Sequence, residues 1–127
     1  MAISYEVDER LGIIRETWTG KVSANDLADH WKGYLADPSV MALRVTLVDI
    51  RNAKPTFNSL ELDMAIAKVV DPLLAGRDWR TAMLVSRELQ FGVARQYQAL
   101  AKHYSRDAIF FTEEDAVAWL TRRPAAN

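Results

Sequence analysis

The sequence predicts one α/β domain built on a mixed, mostly parallel five-stranded sheet. Two observations carry this. Short strand-like segments alternate with segments of helical period, in the order ββαβαβαβα. Only about four residues separate the first two strands, the spacing of an antiparallel hairpin, whereas a helix separates every later pair. Strands joined that way pair in parallel through right-handed crossovers. The 127 residues fit a domain of ordinary size. No repeat, linker or low-complexity segment interrupts them, so residues 1–127 are read as a single domain.

Each element has its own signal. Ile3, Tyr5 and Val7 alternate with Ser4, Glu6 and Asp8, the period of a half-buried strand. Residues 8–12 turn the chain, and the β-branched and aromatic run 13–19 returns it. Ser23 caps the first helix, with Asp26 as the acidic member of a capping box. Leu27, Trp31, Tyr34 and Leu35 recur on one face of it. Asp37-Pro38 ends it, because the residue before proline disfavours helical angles. Residues 44–50 are apolar enough for a central strand, and residues 51–58, with Pro55 among them, are expected to form a loop.

A second helix is expected over 59–75, with Leu62, Ile66, Val69, Val70 and Leu73 inward. Pro72 should kink it and Gly76 should end it. Residues 81–86 read as the fourth strand and 88–103 as a helix with Leu89, Val93, Tyr97 and Leu100 on its apolar stripe. Residues 108–111 form a short fifth strand. Thr112 and the acids after it start a last helix that buries Ala116, Trp119 and Leu120. If the crossovers all advance in one direction, the helices gather on one face of the sheet. The other face then needs cover from a dimer partner, a ligand or its own polar residues. A homodimer is expected on that ground.

Composition excludes several classes. Sixteen basic residues face seventeen acidic ones, so no global field attracts nucleic acid or anionic membrane. Without cysteine there are no disulfides, thiolate nucleophiles or iron–sulfur ligands. The first residues show no basic stretch followed by an apolar one, so no signal peptide is expected. No apolar run approaches the roughly 18–20 residues of a membrane span. A cytoplasmic location and no stable membrane insertion follow as expectations.

The chemical inventory is thin. His30 and His103 are the only histidines. His30 stands four residues after Asp26, within reach of a helical pair, and His103 falls in a last turn, where a cation suits the dipole. No His-x-x-x-His or Glu-x-x-His spacing exists, so no metal and no cofactor is expected. Gly33 and Gly92 sit inside helices at a cost of about 1 kcal/mol each against alanine, which points to close packing there. Glu113, Glu114 and Asp115 match the negative charge that a first helical turn favours. The four tryptophans, at 18, 31, 79 and 119, are too dispersed for a nucleic-acid platform and should pack a core or an interface.

Topology then supplies the candidate region. Ligands of open parallel sheets sit beyond the carboxyl ends of the strands. Those ends carry Asp49 with Arg51, and Ser86 with Arg87, while Asn58 and Ser59 stand at the entry to the second helix. Ser59 serves as an N-cap or presents a hydroxyl where a phosphate is favoured; capping is the simpler reading.

The chain resembles the SpoIIAA-like group, the STAS domains of anti-sigma-factor antagonists and their relatives. The run from Val45 to Asp49 and Ile50 looks like that fold's central strand. Phe91-Gly92-Val93-Ala94-Arg95, and the stretch from Phe110 to Leu120, look like segments of uncharacterised bacterial SpoIIAA-like proteins. The likeness covers nearly the whole chain and implies a non-enzymatic regulatory or protein-interaction module. Antagonist STAS domains carry an Asp-Ser-Ser/Thr-Gly-like sequence after the central strand, with a serine that a partner kinase phosphorylates. This chain has Asn58-Ser59-Leu60-Glu61 there, without the second hydroxyl or the glycine. The resemblance thus offers Ser59 alone as a phospho-switch. The divergent relatives also resemble the Sec14-like lipid-binding fold, which implies a small apolar or lipid-like ligand as the alternative. An enzyme using Asp49 and His30 requires both side chains in one cleft.

Overall fold

The computed structural model describes residues 2–70, 72, 79–86, 88–100 and 105–122. Five strands form one sheet in the order β1-β2-β3-β4-β5: β1 (Ile3–Asp8), β2 (Ile13–Val22), β3 (Val45–Pro55), β4 (Trp79–Leu84) and β5 (Ser105–Phe110). β1 and β2 are antiparallel, and every other pairing is parallel. The helices are α1 (Ala24–Tyr34), α2 (Pro38–Leu43), α3 (Ser59–Ala65), α4 (Glu88–Leu100) and α5 (Glu113–Thr121). A π-helical turn (Ile66–Val70) continues α3. The mixed five-stranded α/β architecture is the one the residue pattern predicts.

Local chemistry sets the boundaries. Ser23 and Asp26 form the expected capping box, each side chain taking the other's backbone N–H. Asp37 accepts from the Ser39 N–H at 3.0 Å, and Pro38 occupies the first helical turn, where its missing N–H costs nothing. The Asp-Pro pair therefore ends α1 and also starts α2, which the sequence reading passed over. Beyond Val70, the expected kink at Pro72, the inward Leu73 and the stop at Gly76 fall largely outside the described residues, as do residues 101–104 of the fourth helix with His103.

Residues 51–55 are not a loop. β3 continues through them, paired with the end of β2 from Thr19↔Asn52 to Val22↔Pro55. An extra residue on β3 between Asp49 and Asn52 makes a bulge against Thr17–Thr19. Gly20 lies beside it with φ +65, so it bends a strand rather than ending one. Pro55 is tolerated because it is the last residue of its strand.

The sheet has two unequal covers. One face packs on α1, α2, α3 and α4 around Ile14, Trp18, Trp31, Tyr34, Ile50 and Met83. The other carries a smaller cluster of Ile13, Leu47, Ala82 and Leu84 under Ala116 and Leu120 of α5. The crossover helices do gather on one face, but α5, which follows the last described strand, packs on the other face of the sheet. Polar residues cover the same face toward β1 and β2, where Arg15 joins Asp8 at 3.0 Å to Glu113 of α5 at 2.9 Å. Among the described residues this face is covered by α5 and by polar side chains, so it is not the bare face on which a homodimer was expected. Gly33 and Gly92 are exposed, and an added Cβ on either meets nothing within 4 Å. Their expected close packing is therefore absent.

Candidate functional site

A partly enclosed cavity of about 60 Å³ lies between the sheet and α1, α3 and α4. That is room for roughly four water molecules, the bulk of one small branched group. Its wall is built by period. On β2 the residues Ile14, Glu16 and Trp18 share the inward parity, on β3 Thr46, Val48 and Ile50, and on β4 Trp79, Thr81 and Met83. The helices close it with Leu27, Trp31 and Tyr34 of α1, Leu62 of α3 and Val93, Ala94 and Tyr97 of α4.

One carboxyl group stands in this apolar wall. Glu16 is only 4% exposed. One of its oxygens accepts from Trp18 Nε1 and the other meets His30 Nε2, both at 2.7 Å. His30 is as deeply buried and packs against the ring of Tyr34. The expected pair of His30 with Asp26 is replaced by this longer-range contact, since Asp26 is committed to the cap. Tyr34 reaches Thr46 and Trp79 Nε1 donates to the same hydroxyl at 3.3 Å. Tyr5 donates to Asp37 at 2.7 Å.

Burial, with the Asp37 hydrogen bond second, pushes the Tyr5 phenol up to about 12. Burial also raises Tyr34, with the nearby Glu16 charge adding to it. Hydrogen bonds from the Ser39 hydroxyl and from Tyr5 hold Asp37 below the usual carboxylate range. On the opposite face the bond from Arg15 does the same for Asp8.

The strand-end candidates fall into two groups. Asp49 is not at a strand end, because β3 runs on to Pro55. It points to the α5 face and grips Arg51 through two contacts, at 3.0 and 2.9 Å. The pair raises the Arg51 pKa. Ser86 joins them through the backbone, its hydroxyl donating to the Arg51 carbonyl at 3.4 Å. The organiser there is Gln90, 1% exposed, whose amide bonds the carbonyls of Arg51 and Ala53. Arg87 lies outside the described residues. Asn58, rather than Ser59, caps α3, in a reciprocal box with Glu61. Ser59 is the first residue of the helix and is exposed.

His30 and Asp49 thus stand on opposite faces of the sheet, which removes the cleft that an enzyme using both would need. Three of the four tryptophans, at 18, 31 and 79, converge on the cavity. Trp119 sits on the other face beside Phe110, with the Arg80 guanidinium 5.8 Å from its ring centre. The sequence reading missed Glu16 and Gln90. Glu16 was legible, since a carboxylate between Ile14 and Trp18 breaks an otherwise apolar parity. Among the described residues no set of three His, Asp or Glu side chains converges to hold a metal. No helix among them is long and apolar enough to cross a membrane.

No family model matches the chain, and no curated protein sequence matches it. Solved structures do. An uncharacterised DUF3478-family protein of SpoIIAA-like fold from Shewanella loihica superposes with a TM-score of 0.64 at 20% identity, over 94% of this chain and 93% of that one. An anti-sigma factor antagonist from Mycobacterium paratuberculosis gives 0.59 at 14% identity, over 94% of this chain and 95% of that one. Identities this low speak to architecture alone: the chain has the SpoIIAA-like fold.

Proposed function

We propose that this chain is a non-enzymatic binding module that takes up a small apolar or amphipathic ligand between its sheet and helices. The cavity carries the reading. It is lined largely by Trp, Leu, Val, Ile and Met side chains, with a few polar groups set among them. Small-molecule sites have that composition. Native mass spectrometry of freshly purified protein tests it. The expected result is a small-molecule adduct that leaves on denaturation and is missing from Val93→Trp, which fills the cavity from α4. Absence of an adduct, together with no saturable binding of millimolar 1-hexanol, overturns the proposal.

A second reading, a regulatory protein-interaction module, has its own support. Leu60, Met64, Phe91 and Phe111 are exposed, and Phe91 stacks on Phe111 at 6.0 Å. All four follow the carboxyl ends of β3, β4 and β5. Exposed Ser59 adjoins this rim. In this reading phosphate on Ser59 adds negative charge beside an apolar contact surface and releases a partner. Intact-mass analysis from the native host tests it. An absence of phosphate on Ser59 under every growth condition, with Ser59→Ala behaving as wild type, removes the switch.

A further inference from the structure

The cavity combines an aromatic wall with a buried carboxyl group. Among the described residues six rings border it in three pairs: Trp18 with Phe57 at 6.4 Å, Trp31 with Tyr97 at 6.0 Å and Tyr34 with Trp79 at 6.0 Å. Glu16 is on the same wall. Among the described residues, no lysine or arginine lines the cavity. His30 Nε2 meets the carboxyl at 2.7 Å and is not among the described residues that line the cavity.

Resting on the reading of this cavity as a ligand site, we propose that it is selective for a cation with apolar substituents, an alkylammonium head. Three ligand classes compete, and the wall separates them. A carboxylate or phosphate head meets the Glu16 carboxyl group with no lysine or arginine among the described lining residues to offset the repulsion. A neutral hydroxyl can donate to Glu16 but gains nothing from the aromatic quadrupoles. An alkylammonium gains from both, because ring faces attract cations and the carboxylate offsets the loss of water around the charge. A trimethylammonium group, with about five heavy atoms counting its attachment carbon, matches the space of roughly four waters.

The test compares choline with its neutral isostere 3,3-dimethylbutan-1-ol, each titrated into the full chain and read by the tryptophan indole NMR signals. Choline is expected to bind about tenfold more tightly, equivalent to about 1.4 kcal/mol. Glu16→Gln keeps the shape and removes the charge. It is expected to reduce choline affinity by about tenfold while leaving the isostere within about threefold. Retained binding of the neutral probe shows that the variant's cavity is intact. If the isostere binds wild type as tightly as choline, the cation selectivity is overturned and the cavity reading stands. If neither probe binds, both fall.

Discussion

Replacing Glu16 with leucine isolates the polar anchor of the cavity. Each carboxyl oxygen holds one buried contact, with Trp18 Nε1 and with His30 Nε2, both at 2.7 Å. Leucine occupies similar volume but accepts nothing. Two buried donors then lose their partner at about 1–3 kcal/mol each. Added apolar burial returns about 1 kcal/mol, so the net loss is about 3 kcal/mol. With a urea m-value of about 2 kcal/mol/M, the midpoint falls by about 1.5 M. Far-ultraviolet circular dichroism is the suitable readout, because the substitution itself alters tryptophan fluorescence. Adding Trp18→Phe deletes one orphaned donor, so the double variant should lose less than the two single losses summed. A Glu16→Leu protein as stable as wild type, with unchanged m, would refute the argument that these two donors depend on the carboxyl group.

Other consequences are smaller or more local. Gly33→Ala should raise stability by about 0.5–1 kcal/mol in the same urea assay, because the position is helical, exposed and open. A loss would mean that the glycine is needed for something other than backbone freedom. Gln90→Leu should cost about 2 kcal/mol and speed amide exchange at the end of β3, since it removes the amide donor to the carbonyls of Arg51 and Ala53 and leaves Arg51 only the longer Ser86 contact. Leu120→Ala should cost about 2–5 kcal/mol, the price of a cavity under α5; a loss under about 0.5 kcal/mol would return the bare sheet face. The Tyr5 and Tyr34 phenols are raised above their unfolded value of 10.0. Their contribution is intact below that pH and is lost as pH rises through the folded values. Stability measured above pH 10 should therefore fall less steeply in Tyr34→Phe, and an identical slope would contradict the assignment.

The fold was legible because its signals are local. Period two in residues 3–8, the Ser23–Asp26 box and the apolar runs at 44–50 and 81–86 each act within a few residues. What escaped notice depends on distant partners. Residues 51–55 carry Pro55 and charges, and they become strand only because β2 continues to Val22 beside them. Among the described elements α5 follows the last strand, so no crossover constrains its placement under the sheet. The candidate site divides the same way. Topology pointed to the strand ends, yet Asp49 and Arg51 lie within β3 and only Ser86 follows the end of its strand, while the cavity lies beneath the helices. Its key residue, Glu16, was marked only by parity, and its partner His30 lies on another element.

The central claim is that a ligand enters the cavity on the helix-rich face. The four tryptophans report on it directly, since Trp18, Trp31 and Trp79 line the cavity and Trp119 lies on the opposite face. Indole N–H signals recorded during titration with 1-hexanol are the decisive measurement. The account predicts saturable shifts at the three cavity indoles with Trp119 unmoved. No shift at any of the three, or a saturable shift at Trp119 alone, would contradict it.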